Sequence, residues 1–269
     1  MDPRSVIRDL RLRLEADRVL GLNRRLSVVV PVPDDAPVSS VAAPAGRSVT
    51  PERASGEPLA TAKDTVPEDF DRPESVGSER DLRQSRLDEI AAQVRVCEEC
   101  PLCESRTQTV FGVGDPAARL LFVGEGPGFD EDRLGEPFVG RAGQLLDRMI
   151  LAMGLSRPEV YIANVVKCRP PQNRTPNPRE TISCLSYLGS QIDVIAPEVI
   201  VTLGNTPTRT LLDTLAPISR LRGSWQSFRD IPLLPTFHPA YLLRNSGDKG
   251  LVWQDLQQVM ARLGLQAPK

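Results

Sequence analysis

Five cysteines form the first group of residues in this chain whose spacing suggests chemistry. Cys97, Cys100 and Cys103 follow one another at intervals of three residues, whereas Cys168 and Cys184 stand apart. Four thiolates suit either a zinc ion or a 4Fe-4S cluster, and ferredoxin-type sites use three cysteines in succession. Structural zinc usually takes its ligands as two close pairs, so one pair with two isolated cysteines favours iron–sulfur and leaves zinc as an alternative.

A glycine-rich turn with acidic residues follows the apolar run RLLFV. It reads GEGPGFDED, from Gly124 to Asp132. Glycines let the backbone approach a ligand closely and expose its N–H groups. The turn has neither the GK[ST] of a phosphate-binding loop nor the GxGxxG spacing of a dinucleotide-binding turn. A ligand site and a simple turn capped by acids therefore both remain open.

The single histidine of the chain lies in FHPAYLLRN, residues 237–245. A lone histidine is usually structural, but His238 ends an apolar run and precedes a proline, so its side chain should project from a strand end. Leu242, Leu243 and Arg244 then suggest an apolar wedge beside a phosphate contact. A Ser-His-Asp triad would have to use this histidine, and no GxSxG motif supports one.

These groups are predicted to lie at one edge of a parallel sheet. Four short apolar runs bounded by turn residues are typical of buried strands, and the segments between them have helical periodicity. Strands that alternate with helices imply a parallel sheet covered on both faces. Sites in such sheets form at the carboxyl ends of the strands. The strand runs are ARLLFVGEGPG, EVYIANVVKC, PEVIVTLGN and IPLLPTFHP.

The first 80 residues are expected to lie outside the folded domain. Residues 1–27 carry apolar residues at near-helical spacing with arginines between them, which predicts an amphipathic helix. Residues 28–80 are rich in proline, alanine, serine and acids and poor in large apolar residues, which predicts a disordered linker. The folded domain is then expected over residues 81–269.

Charge and hydropathy exclude several classes of protein. The formal net charge of −2 excludes a strongly basic, histone-like protein, so a nucleic-acid site would have to be a local patch. The N-terminus lacks the apolar core of a signal peptide, and no uncharged apolar stretch reaches the roughly 20 residues of a membrane span. A cytoplasmic protein is expected, in which metal binding explains a cysteine cluster better than disulfides do.

Taken together, the motifs resemble those of the family 4 uracil-DNA glycosylases, the iron–sulfur branch of the uracil-DNA glycosylase superfamily. The resemblance covers about residues 87–265. It implies a three-layer α/β/α sandwich with a short central parallel sheet, preceded by a disordered N-terminal extension. The matching segments, in order, are CEECPLCESR, VFGVGDPAARLLFVGEGPGFDED, GEPFVGRAGQLLDRMI, YIANVVKCRPPQNRTPNPRE and TFHPAYLLRN.

The resemblance implies an enzyme that flips uracil out of DNA and hydrolyses its N-glycosidic bond. Glu125 and Gly126 match positions beside the sugar and the attacking water, with Glu131 close behind. Of the two carboxylates, Glu125 is favoured as the group that activates water. No basic insertion with a histidine follows the first motif, so turnover is expected rather than covalent capture of DNA.

The resemblance also implies which residues hold the base and the strand. Phe138 matches the aromatic residue on which uracil stacks. Asn164 matches the amide that reads the O4 and N3 edge of uracil, and His238 matches the residue that donates a hydrogen bond to O2. In the DNA itself, Leu242 or Leu243 would fill the gap left by the flipped base, and Arg244 would hold a phosphate.

The family motif selects four of the five cysteines. Its CxxC, followed by leucine and arginine, matches Cys97, Cys100, Leu102 and Arg106, and the remaining ligands would be Cys168 and Cys184. Cys103 is then a free thiol beside a 4Fe-4S cluster.

Two functions are compatible with these motifs. The first is a monomeric DNA-repair glycosylase that acts on uracil in single- or double-stranded DNA, with no membrane partner. The alternative is a non-catalytic, metal-cluster DNA-binding module on the same fold, which would not need all four of Glu125, Phe138, Asn164 and His238.

Overall fold

The computed structural model describes residues 75–267 of the chain. The predicted amphipathic helix over 1–27 and most of the predicted linker, residues 28–74, lie outside the described residues. The first described helix begins at Ser75, ahead of residue 81, where the folded domain was expected to start.

A six-stranded sheet forms the centre of the described part of the chain, with strand order β1-β3-β2-β4-β6-β5. The four middle strands are parallel, and the two edge strands pair antiparallel to their neighbours. All four predicted strands lie in the parallel centre; the short edge strands were not predicted. The strands are β1 (Val113–Gly114), β2 (Leu120–Gly124), β3 (Tyr161–Asn164), β4 (Val199–Leu203), β5 (Gln226–Phe228) and β6 (Ile231–Thr236).

Helices cover both faces of the sheet, which confirms the predicted three-layer α/β/α sandwich. The two longest helices between the predicted strands, Arg141–Ala152 and Pro178–Ile195, agree with the segments of helical periodicity. The helices are α1 (Ser75–Arg95), α2 (Phe129–Leu134), α3 (Arg141–Ala152), α4 (Pro178–Ile195), α5 (Asn205–Leu212), α6 (Ile218–Leu221), α7 (Pro239–Arg244) and α8 (Lys249–Leu263). None of the helices described over 75–267 is long and apolar enough to cross a membrane.

The core consists of two apolar clusters, one on each side of the sheet. Strand side chains alternate between the faces, so Leu121 and Val123 of β2 pack with α1 and α4, whereas Leu120 and Phe122 pack with α3 and α8. All five residues of β2 are buried, as expected for a central parallel strand. The sheet thereby holds the carboxyl ends of β2, β3, β4 and β6 in fixed relative positions.

Candidate active site

The carboxyl ends of the parallel strands bring the predicted site residues to one edge of the sheet. Glu125 directly follows β2, Asn164 ends β3, and His238 follows β6. The helix that follows β4 adds Thr206, which was not predicted from the sequence. Its only signal was its position three residues after a buried strand, in the run LGNTPT.

Asn164 is buried, with a side-chain oxygen that has no hydrogen-bond partner among the described residues. In the sheet register Asn164 lies opposite Gly124. A Cβ atom at Gly124 would overlap Asn164 Oδ1 and would come within 2.6 Å of the Phe138 ring, so only glycine leaves room there. An unpaired buried acceptor is costly, which makes Asn164 Oδ1 a candidate partner for a donor on a ligand.

Phe138 is buried beside His238, with ring centroids 5.6 Å apart and planes inclined by 30°. Its backbone has φ 55°, a left-handed conformation that a bulky residue adopts only when its surroundings hold it. Gly143 in α3 is part of those surroundings, because a Cβ there would overlap the Phe138 carbonyl. The helix N-terminus can therefore pack directly on the Phe138 backbone.

Glu131 and Arg157 hold the same loop from two sides. One oxygen of Glu131 accepts the N–H groups of Val139 and Gly140, and the other accepts that of Gly128, each at 3.1 Å. Arg157 donates to the carbonyl oxygens of Pro137 and, at 3.3 Å, Phe138. Both oxygens of Glu131 are thus engaged with backbone, which suits a positioning residue better than a base that receives a proton from water.

His238 is held in one tautomer at the start of α7. Its Nδ1 accepts the N–H of Ala240 at 3.1 Å, and because a backbone N–H can only donate, the proton of the neutral ring resides on Nε2. Burial lowers the pKa of His238 to about 4, and the charge of Arg244 acts in the same direction. At neutral pH the ring is therefore an uncharged donor through Nε2.

Glu125 and Gly126 link the glycine-rich turn to its neighbours. Thr206 Oγ1 donates to Glu125 Oε2, so the turn after β2 is joined to the helix after β4. A Cβ at Gly126 would lie 2.6 Å from Val166 Cγ2, so glycine permits close packing against the segment after β3. The carboxylate thus remains at the sheet edge on which Asn164 lies.

The two leucines of α7 differ in exposure. Leu242 is buried in the core cluster with α3 and α8, so it cannot reach DNA, and its predicted role is corrected. Leu243 is 39% exposed, and Arg244 is also exposed. Of the predicted pair, only Leu243 has an exposed side chain.

All five cysteines line one cavity on the α1 and α4 side of the sheet, together with Arg106 and Lys167. Arg106 Nη1 donates to the Cys97 carbonyl at 2.8 Å and to Cys168 Sγ at 3.2 Å. Burial raises the pKa of Cys184 to about 12 and also raises that of Cys168. Thiolates at Cys168 and Cys184 are thus disfavoured unless a positive charge compensates them. Among residues 75–267, no three His, Cys, Asp or Glu side chains form a group suited to a single metal ion.

Lys167 lies between the cysteine cavity and Asn164. Its side chain is fully buried, and Nζ donates to the Asn164 carbonyl at 2.9 Å and to Gln191 Oε1. The Lys167 N–H is 3.3 Å from Cys184 Sγ. Burial lowers the pKa of Lys167 to about 8, although Cys184 opposes this shift. One short segment thus connects the cysteines with the backbone of Asn164.

Comparison with known proteins identifies the family. The model of the uracil DNA glycosylase superfamily matches residues 111–257, more than half of the chain. The type-4 uracil-DNA glycosylase of Thermotoga maritima is 43% identical over 182 residues, which are 65% of this chain and 94% of the relative. The type-4 uracil-DNA glycosylase of Sulfurisphaera tokodaii is 42% identical over an aligned region that covers 64% of this chain and 83% of the relative. The chain therefore belongs to the uracil DNA glycosylase superfamily and, within it, to the type-4 uracil-DNA glycosylases.

Proposed function

We propose that this chain is a DNA-repair glycosylase that flips uracil out of DNA and hydrolyses its N-glycosidic bond, leaving an abasic site. The supporting observation is the buried, unpaired Oδ1 of Asn164 near the Phe138 ring, at the sheet edge where Glu125 and His238 also lie. The type-4 relatives are named for this activity.

Base recognition follows from hydrogen-bond complementarity. Asn164 Oδ1 accepts from uracil N3–H, and the amide nitrogen of the same side chain donates to O4. Cytosine presents an unprotonated N3 and an amino group at these positions, so two polar groups would be left unpaired. The flipped ring stacks on Phe138, and stacking and edge hydrogen bonds offset the cost of flipping.

The reaction develops opposite charges at its two ends. As the bond to C1′ breaks, the sugar gains oxocarbenium character and uracil leaves as an anion. His238 Nε2–H donates to O2 and so stabilises negative charge on the base. Glu125 is assigned to the sugar and the attacking water, where a carboxylate stabilises the cation and receives the water proton. Gly126 lets the backbone approach the sugar and the attacking water closely, and Glu131 holds the Phe138 loop.

DNA is held on both sides of the flipped nucleotide. Leu243 enters the gap in the base stack, and Arg244 contacts a phosphate. Action as a monomer is part of the proposal.

The cysteine cavity fits a 4Fe-4S cluster. Its thiol lining provides the donors, and Arg106 and Lys167 provide positive charge next to an anionic cluster. The proposed ligands are Cys97, Cys100, Cys168 and Cys184. When bound, the cluster supplies covalent ties between chain segments, and the hydrolysis itself moves no electrons.

The deciding experiment measures release of free uracil from a single-stranded oligonucleotide with one uracil, using metal-replete protein. Matched strands with cytosine or thymine at that position test selectivity, and His238→Ala serves as the impaired variant. We expect the wild type to release uracil but neither cytosine nor thymine. Uracil release should be strongly reduced in His238→Ala. Binding of the strand without uracil release would instead indicate a non-catalytic DNA-binding module.

A further inference from the structure

Phe129 is the one exposed aromatic side chain among residues 79–267, and the proposed reaction does not use it. It is the first residue of α2 and is 59% exposed. Aromatic residues make up only 4% of the chain, and the other aromatic residues described are buried or half-buried. An exposed phenylalanine on the turn that carries Glu125 therefore calls for an explanation.

Arg169 covers part of the Phe129 ring. Its guanidinium carbon lies 5.0 Å from the ring centroid, a cation–π distance. The Nε of Arg169 donates to Asn173 Oδ1 at 2.8 Å, which keeps the guanidinium in place. The ring is thus oriented, yet more than half of the side chain remains accessible.

The pair and the proposed DNA residues of α7 follow different strands of the sheet. Phe129 follows β2 and Arg169 follows β3, whereas Leu243 and Arg244 follow β6. Since β4 separates β2 from β6, the ends of those two strands are roughly 10 Å apart, at the usual strand spacing. Each pair consists of an exposed apolar side chain and an arginine. A DNA strand bound across this edge of the sheet can contact both pairs.

We propose that Phe129 and Arg169 form a platform on which a base next to the flipped uracil stacks, an inference that rests on the proposed function. A neutral base suits the ring better than a phosphate does, because the exposed Asp130 follows Phe129 directly and would repel an anion. Aromatic stacking accepts any base, since each has a π-face. The platform therefore strengthens strand binding without reading sequence.

The test removes the base and the ring separately and together. Single-stranded oligonucleotides with one uracil carry either ordinary bases on both sides or an abasic tetrahydrofuran nucleotide at one immediate neighbour. We measure kcat/KM for uracil release by the full-length wild type, Phe129→Ala and Phe129→Trp. Leu134→Ala is the matched control, because Leu134 is an exposed apolar residue, 55% accessible, at the other end of the same helix.

We expect loss of the neighbouring base on one side to lower kcat/KM of the wild type about tenfold. Phe129→Ala should show the same loss on the intact strand and no further loss on the abasic one. In Phe129→Trp and Leu134→Ala, kcat/KM should depend on the neighbouring base as it does in the wild type. If Phe129→Ala does not fold, Phe129→Trp decides the question. Two results would overturn the platform but not the proposed function. In one, the active wild type keeps its kcat/KM when either neighbouring base is removed. In the other, removal of the neighbouring base lowers kcat/KM of Phe129→Ala about tenfold, as in the wild type. A wild type that releases no uracil would overturn the proposed function instead.

Discussion

Burial affects Asn164 and His238 in different ways. It leaves Asn164 Oδ1 without a partner among the described residues, a cost of about 1–3 kcal/mol that a uracil N3–H would remove. For His238, burial and the bond from Ala240 keep the ring neutral with its proton on Nε2. Each residue thus offers the hydrogen-bonding group that the proposed function assigns to it.

Asn164→Asp should weaken uracil excision and narrow the preference for uracil over cytosine. The substitution replaces the amide donor to O4 with a carboxylate oxygen, so we expect kcat/KM on uracil to fall on the order of 100-fold. Release of each base from matched single strands measures both effects. Unchanged discrimination with retained activity would show that Asn164 does not read the base.

His238 should titrate far below an ordinary histidine. Because it is the only histidine in the sequence, its ring C–H resonances report one group by NMR. We expect a midpoint at about pH 4 in the folded protein and about 6.5 in urea. The stabilising contribution of the neutral ring is therefore complete above about pH 6.5 and declines as pH falls toward 4. A folded-state midpoint near 6.5 would contradict a desolvated, neutral ring.

At the scale of elements, the Phe138 loop depends on contacts from α2, α3 and the segment before β3. Glu131 binds its amides, Arg157 binds its carbonyls, and Gly143 lets α3 approach its backbone. Together these contacts hold the left-handed φ of Phe138. The Phe138 ring, on which uracil stacks in the proposed function, is consequently positioned by contacts to the backbone of its own loop.

Gly143→Ala should therefore impair both stability and activity. Its Cβ would overlap backbone atoms of Phe138, which cannot move as a flexible side chain would. We expect the free energy of unfolding to fall by about 1–3 kcal/mol, with a drop in kcat/KM. Gly250→Ala in α8 is the control, since a Cβ there meets nothing within 4 Å and should be neutral or slightly stabilising. Denaturant unfolding measures the stability of the two variants, and uracil release measures their activity. Equal effects of Gly143→Ala and Gly250→Ala would contradict the packing argument.

At the scale of the whole molecule, the cysteine cavity joins distant parts of the chain. Cys97 and Cys100 follow α1, Cys168 follows β3, and Cys184 lies in α4. The proposed cluster, held by these residues, would close long loops, so its binding free energy would add to that of folding. Lys167 connects the same region to the carbonyl of Asn164.

Serine substitutions should separate ligand from non-ligand cysteines. Cys97→Ser should lower the iron content per chain and the melting temperature, because one ligand is lost. Cys103→Ser should leave both unchanged. Iron analysis and thermal unfolding under anaerobic conditions measure the two variants, and the reverse result would place Cys103 in the ligand set.

Local patterns sufficed for the sheet centre and its longest helices. Apolar runs predicted β2, β3, β4 and β6, whereas β1 and β5 have only two and three residues, too few for a periodic signal. The bonds of Glu131 to Val139 and Gly140 could not be predicted, since they depend on how the loop returns to α2.

The sequence by itself determined the α/β/α architecture, the family motifs and the residue types available for base recognition, because periodicity and motif order are local properties of the chain. Only the tertiary structure decided which of two adjacent leucines is exposed, that Glu131 is engaged by backbone amides, and that Thr206 meets Glu125. These outcomes depend on contacts between elements far apart in sequence, so packing decides them.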